Sequence, residues 1–490
     1  MSLGTGSPLS RRRFMRLAAG SSALIAAGGV LSLSSCDDPP SGPGASKPVR
    51  SPLPQPVSMS ARALALTAAA GVARIADDVS APAWLFNGLL PGPTLRARRG
   101  DIARIRLQNY LPEPTIVHWH GLLVPAAADG HPVYAIASGM SLDYEFPIVQ
   151  RAGTFWYHPH PHHYTAAQIQ RGLAGFFIVE DEEEDALGLP SGSREILLLL
   201  QDRDGDGAEA FSYAPTAADL RAGMLRNVPF GNGVPLPTVN VVGARYRFRV
   251  LNGSQARVFR LALDTGTLLS VIGNDGGLLP SRADVESVYL GVGERIDFLV
   301  DFGAFPAGRK VVLQSLPFSL PLASGDPYPQ GLHMNLLELV RTEGPAQDES
   351  PLPSTLSTVP LLESTTSERR FVLQSAGDED MHQINGRTFD MNRVDEQIPL
   401  GQVERWVFHN DSTLPHPVHL HGTHFQVVAR RGGRNRVFPY EAGWKDTVLV
   451  MPLETVEVLV TFDLYRGVFP LHCHNLQHED MGMMLNVEVI

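Results

Sequence analysis

The chain has 490 residues, too many for a single hydrophobic core, so two to four domains are expected. Only 19% of residues are charged, while glycine and proline number 46 and 39, a composition that suits short strands joined by many turns. The formal net charge of -11 excludes nucleic acid and anionic lipid surfaces as main partners, because both demand a basic face, and it points to a small-molecule substrate.

In chain order, residues 1–36 have the layout of an export segment: Arg11, Arg12, Arg13 and Arg16 precede a small-residue apolar run from Leu17 to about Ser35. This resembles a twin-arginine signal, which a receptor reads and which takes no part in the fold. The run is rich in Gly, Ala and Ser and falls below the roughly 20 strongly apolar residues of a membrane span. The expected location is the periplasm or cell envelope. "LSSC", Leu33 to Cys36, also resembles a lipoprotein cleavage box, so Cys36 either becomes a lipid-bearing first residue or leaves with the signal. Residues 37–57 have the Pro/Gly/Ser composition of a flexible tether.

From about Ser58 onward the pattern is of short β-rich runs, among them "DIARIRLQNY", "GTFWYHPH", "YRFRVLN", "ERIDFLVDF" and "TVEVLVTFDL", separated by Gly, Pro or Asn. Regularly spaced short strands predict β-sandwiches, and "AAQIQRGL" (Ala166 to Leu173) one short helix or turn. The stretches "IARIRLQNYLPEPTIVHWHG", "RYRFRVLNGSQARVFRLAL" and "VERWVFHNDSTLPHPVHLHG" each run strand, Asn-containing turn, strand, which implies three similar units. Their expected bounds are 58–185, 190–342 and 369–490, with a linker at 343–368. The acidic segment Glu180 to Ser193 and the Ser/Thr/Pro/Glu-rich stretch Arg341 to Arg370 read as solvated connections without chemistry. "DRDGDG" (Asp202 to Gly207) matches the first half of a calcium-binding loop, but the twelfth position is Tyr213 where glutamate is needed, so a hairpin turn is predicted.

The chemistry gathers in four histidine motifs: "HWHG" (His118, His120), "HPH" (His158, His160), "HPVHLH" (His416, His419, His421) and "HCHNLQH" (His472, His474, His478). Residues i and i+2 of a strand face the same side, so each His-X-His pair presents both imidazoles to one metal cluster. Eight imidazoles from four segments suit about three metal ions with positions left open for a substrate. With only two cysteines there is no disulfide framework, and Cys473 is either an inert buried residue or a ligand. Alternation decides between these: if His472 and His474 face one side, Cys473 faces the other, and one strand touches two metal sites. Cys473 with His416, His478 and a weak axial Met483 is a His₂Cys-plus-methionine set of the blue-copper kind.

The four motifs, their order and the terminal "HCHNLQHEDMGMM" resemble those of the multicopper oxidases, the family of laccases and bacterial cuprous oxidases, from about Leu64 to Ile490. The resemblance implies an all-β fold of three cupredoxin-like Greek-key β-sandwich domains and four copper ions: one type 1, one type 2 and two type 3. Type 1 copper would take His416, Cys473, His478 and Met483, the family spacing selecting Met483 over Met484. Type 2 would take His118 and His419. One type 3 ion would take His120, His158 and His474, the other His160, His421 and His472. His162, His163 and His424 adjoin the motifs without fitting them, as residues that support ligands or face solvent. Asp129 and Glu479 match positions where related oxidases carry acids linked to proton supply; orienting histidines is the other reading of both.

Such an enzyme would take single electrons from a small-molecule donor and pass them through Cys473 to a centre that reduces dioxygen to water. Phenols and aromatic amines are the expected donors, needing an exposed edge of a type 1 histidine and a hollow where Asp411 accepts a hydrogen bond. Asp411 in "HNDST" also fits a plain turn residue. Cu(I) is the alternative donor, weakened because Arg341 to Arg370 contains no methionine. A non-enzymatic envelope protein of the same fold is a third reading, disfavoured by the complete ligand set. A monomer is expected.

Overall fold

The structure, a computed structural model, describes residues 50–205, 207–320, 329–344, 351–363, 365–375 and 382–490. The export segment, Cys36 and the tether as far as residue 49 lie outside the described residues. Among the described residues, no helix is long and apolar enough to cross a membrane.

Strand formation follows side-chain alternation. In Ile102–Tyr110, Ala103, Ile105 and Leu107 are buried while Arg104 and Arg106 face water. Directly across, Glu145 and Asp143 of Ser141–Pro147 pair with those arginines. Ion pairs this exposed add little stability, but they penalise a one-residue slip that would turn the apolar set outward.

The three Asn-containing stretches are one construction made three times. Ile102–Tyr110 lies between a parallel Leu64–Ala76 and an antiparallel Ser141–Pro147. Arg245–Asn252 lies likewise between Glu195–Arg203 and Arg295–Asp301, and Val403–Asn410 between Glu368–Ser375 and Thr455–Thr461. Each stretch carries a fully buried asparagine near its end: Asn109, Asn252 and Asn410. Its amide nitrogen donates to two carbonyls, those of Glu113 and Ile136, of Arg257 and Leu290, and of Leu414 and Val450. Its oxygen accepts the N–H two residues on, from Leu111, Ser254 and Ser412. Only an amide side chain offers two donors and an acceptor at this reach, which explains the asparagine in each repeat.

Each repeat closes two sheets over its own apolar core. Trp119, Phe146 and Phe177 fill the first, Phe248, Phe298 and Leu336 the second, and Trp406, Phe425 and Phe469 the third. The short helix expected near Ala166 is Thr165–Gln170. Among the strands buried at every residue are Gly153–Pro159 and His416–Leu420. These carry histidine motifs, and burial on both faces marks them as contacts between repeats.

Some expected connections are built into the fold. The acidic segment is not simply solvated: Asp181 caps the helix Glu182–Asp185, and the Glu184 carboxylate is buried against Arg247 and Arg249 of the second repeat. The acidic run has no visible partner in sequence because its arginines lie some sixty positions away on a neighbouring strand. The end of the tether is docked rather than free, since Leu53 is buried and its N–H donates to the Thr238 carbonyl. In the later linker, Leu356 is buried and the Ser357 hydroxyl donates to the Leu278 and Leu279 carbonyls.

"DRDGDG" is neither a calcium loop nor a tight hairpin. Asp202 is still in strand Glu195–Arg203 and pairs with Arg257, while Asp204 pairs with Arg226. The antiparallel partner strand, Val228–Gly231, returns only after a long excursion that carries the helix Ala217–Ala222. That excursion reaches the metal-ligand region described next.

Candidate metal centres

The Gly467–Cys473 strand lies between His416–Leu420 and Met484–Val489, in register His419↔His472 and His472↔Met484. Alternation then puts His472 on one face and Cys473 on the other. Met484, opposite His472, shares the histidine face, whereas the Met483 carbonyl accepts the Cys473 N–H and both side chains lie in the third core.

On the cysteine face, His416 Nδ1 lies 3.4 Å from Cys473 Sγ, His478 Nδ1 lies 3.7 Å from it, and the two Nδ1 atoms are 3.3 Å apart. Outward nitrogens are tied off: His416 Nε2 meets the Ser412 hydroxyl at 2.9 Å, and His478 Nε2 donates to the Arg221 carbonyl at 3.3 Å. All three donors therefore point at one spot. Burial pushes the Cys473 thiol up, so by itself it stays protonated; a soft metal at that spot would remove the proton.

On the opposite face the imidazoles meet nitrogen to nitrogen. His118 and His419 Nε2 are 3.2 Å apart. His472 Nε2 lies 3.1 Å from His421 Nε2 and 3.3 Å from His160 Nε2. His158 Nε2 lies 3.4 Å from His120 Nδ1, with the His474 ring centroid 5.0 Å from that of His120 and 5.2 Å from that of His158. Two nitrogens each about 2.0–2.1 Å from a shared metal at tetrahedral angles lie about 3.3 Å apart, so the pairs His118/His419, His472/His421, His472/His160 and His158/His120 fit ligation without movement.

Protonation fits as well. His118 and His419 donate Nδ1–H to the Asp129 and Asp446 carbonyls, His158 Nδ1–H to that of Pro159, and His120 Nε2–H to the Asp446 carboxylate. Each of these leaves its inward nitrogen a lone pair, the arrangement expected of metal-binding histidines. Burial holds His158 at about 4 and His160 and His416 at about 3, so all stay neutral at physiological pH. Both nitrogens of His474 and Nδ1 of His160 are buried without a protein partner, a cost that a metal ion would remove for inward-facing atoms.

The two acids differ. Asp129 Oδ2 lies 2.7 Å from His421 Nδ1, while its Oδ1 makes no hydrogen bond and lies 3.6 Å from His118 Nδ1; burial raises its pKa well above the ordinary carboxylate value. For Glu479 burial also opposes ionisation, but His472 and His160 outweigh it and hold the carboxyl well below its usual range. Its oxygens lie 3.2 Å from His472 Nδ1 and 3.6 Å from His160 Nε2.

Several contributors were not visible in the sequence. Asp446 pairs with Arg295 of the second repeat at 2.8 Å while holding His120. Gly293, at φ +85°, comes so close that an added Cβ would lie 3.0 Å from both His120 and His474, so only glycine fits there. The Trp156 ring lies 4.2 Å from that of His158. His382 stacks on His478 with centroids 3.8 Å apart. Trp156 alone had a local signal, in "FWYHPH".

Other expectations land differently. Asp411 is exposed in its turn, and the residue that touches His416 is its neighbour Ser412. His163 is exposed and donates Nδ1–H to the Asp480 carbonyl, whereas His424 is buried on the Gly121 carbonyl. No edge of His416 or His478 is exposed: the Ala217–Ala222 helix and His382 cover His478, while Ser412 and Ser375 lie on His416.

Paired β-sheets whose imidazoles and thiol converge in this way define a cupredoxin-fold metalloprotein. Family models described as multicopper oxidase match residues 68–184 and 363–490. The bilirubin oxidase of Albifimbria verrucaria is 35% identical over 415 residues, 81% of this chain and 71% of that one. The laccase of Bacillus subtilis (strain 168) is 30% identical over 467 residues, covering 83% and 90%. Among solved structures, the McoA multicopper oxidase of the hyperthermophile Aquifex aeolicus superposes with a TM-score of 0.82 at 33% identity, over 90% of this chain and 99% of that one. The chain belongs to the multicopper oxidases, copper-dependent oxidoreductases that use dioxygen as electron acceptor.

Proposed function

We propose that this oxidase would hold four copper ions: type 1 on His416, Cys473 and His478 and more weakly Met483, type 2 on His118 and His419, and type 3 on His120, His158, His474 and on His160, His421, His472. The observation that carries this reading is the Gly467–Cys473 strand, which turns a buried thiol to one set of nitrogens and its flanking imidazole to another. Bound copper supplies one-electron oxidation of a donor at the first set and four-electron reduction of dioxygen at the second.

The chain's own residues set the conditions for that chemistry. Cys473 is covalently continuous with His472 and His474, a path of a few bonds between the two sets. Buried rings and Trp156 keep bulk water from the cluster. Asp129, kept protonated by burial, can give up a proton at Oδ1, which makes no hydrogen bond; Glu479, kept ionised, can take one up between His160 and His472. Environments that push two carboxyls in opposite directions are what paired proton donor and acceptor roles need.

The donors proposed are phenols and aromatic amines, with Asp411 as an acceptor at the surface near His416. Cu(I) is the second reading, favoured by the burial of both type 1 imidazoles, although the covering helix Ala217–Ala222 contains no methionine. Dioxygen uptake by the copper-loaded chain, with a methoxyphenol, an aromatic amine and Cu(I) side by side, ranks the donors; uptake with none of them would defeat the oxidase reading. Export through the arginine-rich segment, in lipid-anchored form if Cys36 is modified, and a monomeric state complete the proposal. A Cys36→Ser variant appearing in the soluble fraction, and light scattering, test these.

A further inference from the structure

His382 belongs to none of the four motifs, yet it is fully buried against the proposed type 1 site. Its ring lies nearly parallel to that of His478, at 25° with centroids 3.8 Å apart. The two stacked rings are fixed in the same way: His382 Nε2 donates to the Leu220 carbonyl at 3.1 Å and His478 Nε2 to the Arg221 carbonyl at 3.3 Å. These are consecutive carbonyls near the end of the helix Ala217–Ala222. With Nε2 carrying the proton, His382 Nδ1 accepts from the Ser375 hydroxyl at 2.9 Å, and that oxygen lies 3.5 Å from His416 Nε2. One imidazole thus covers one ligand and reaches the other through a serine.

The cover is itself anchored. Arg226 pairs with Asp204 and Asp219, Asn475 donates to the Ala222 carbonyl, and the Met224 N–H donates to Gln477. The helix is therefore held against the segment that carries Cys473 and His478.

We infer that His382 is a positioning residue of the type 1 site, whose stacked ring seals His478 from water and so sets the reduction potential of the metal held there. This rests on the assignment of His416, Cys473 and His478 as copper ligands. The physical reason is solvation. Water beside the ligand stabilises the more highly charged Cu(II) state, and a dry apolar cover favours Cu(I), so solvent access around a metal governs its potential.

The test uses the full copper-loaded chain as wild type, His382→Ala and His382→Phe, each equilibrated with a one-electron redox couple. His382→Ala removes the ring and is expected to lower the equilibrium constant for type 1 reduction about tenfold, about 59 mV for one electron. His382→Phe keeps the stack while losing both hydrogen bonds, and is expected to stay within about threefold of wild type. A wild-type-like value for His382→Ala, or a His382→Phe shift of tenfold or more, would overturn the inference; the phenylalanine variant decides alone if the alanine variant does not fold. The red thiolate-to-Cu(II) absorption separates the two levels of the argument. Its absence from wild type sinks the ligand assignment and this inference together, whereas its presence with unmoved potentials sinks this inference only.

Discussion

At the scale of residues, Asp129 and Glu479 show how position within one site divides labour between two carboxyls. Asp129 lies against His421, with His118 farther off, and burial favours its neutral form, while Glu479 sits between two imidazoles that favour its charged form. Asp129→Asn should preserve the hydrogen bond toward His421 but remove the acidic proton. Substrate should still bleach the blue colour of this variant, while reoxidation by dioxygen slows by roughly 10²-fold or more, the range of a lost general acid. Stopped-flow reoxidation reads this, and an unchanged rate would leave Asp129 as an orienting group only. The eight imidazoles of the His-X-His pairs were legible in the sequence because each pair is a local, two-residue statement about a strand face, while His416, Cys473, His478 and Met483 followed from the opposite face and the family spacing. Asp446, Gly293, Arg295 and His382 were not legible, because each meets its partner across a distance in sequence that no local pattern encodes: Asp446 and His120 are 326 positions apart.

At the scale of elements, the asparagine at each repeat corner is the clearest structural rule. Asn252 is none of the proposed ligands, and in copper-free protein its replacement reads the corner's contribution to stability. Asn252→Ala leaves the Arg257 and Leu290 carbonyls and the Ser254 N–H without their partner, and should cost about 2–4 kcal/mol. Denaturant unfolding of the copper-free protein measures it; a loss below about 0.5 kcal/mol would show that the amide is not needed. The strand-turn-strand repeat was visible in sequence, but its purpose was not, since the carbonyls the asparagine binds come from other turns. The acidic segment departs from the solvated connection its composition suggests for a related reason. Its composition suggests a solvated run, and only the alternation of Arg247 and Arg249 on an adjacent strand gives Glu184 a buried counterpart. Burial opposes the charge on Glu184, but those guanidiniums hold its pKa at about 2. Its contribution is present above pH 4.5 and is lost as pH falls through about 2. Glu184→Leu leaves two buried guanidiniums short of a partner, and should cost about 3–5 kcal/mol at pH 7 in the same unfolding experiment; an unchanged midpoint would contradict this.

At the scale of the whole molecule, stability and metal binding draw on the same buried histidines. His158 at about 4 and His160 and His416 at about 3 cannot take up protons in the fold, but the unfolded chain takes them up near 6.5. The unfolded state therefore binds more protons between these values, so stability is fully present above pH 6.5 and declines as pH falls toward 4 and 3. For His158 alone the difference amounts to about 3 kcal/mol. Copper-free protein should unfold at distinctly lower urea concentration at pH 5 than at pH 7, and a midpoint independent of pH would contradict the burial described. The second repeat supplies none of the proposed ligands, yet Gly293, Arg295 and the Ala217–Ala222 helix press against both ligand sets. Its part was hidden in sequence because contact, rather than ligation, is what it contributes.

The central claim is that one strand serves two metal sites from its two faces, and copper counting joined to spectroscopy on Cys473→Ser tests it most directly. The wild-type chain should bind four copper ions per molecule with an intense red thiolate-to-Cu(II) band, and the serine variant should lose that band and one ion while keeping three. A wild type without the band, or a variant that keeps it, would contradict the account.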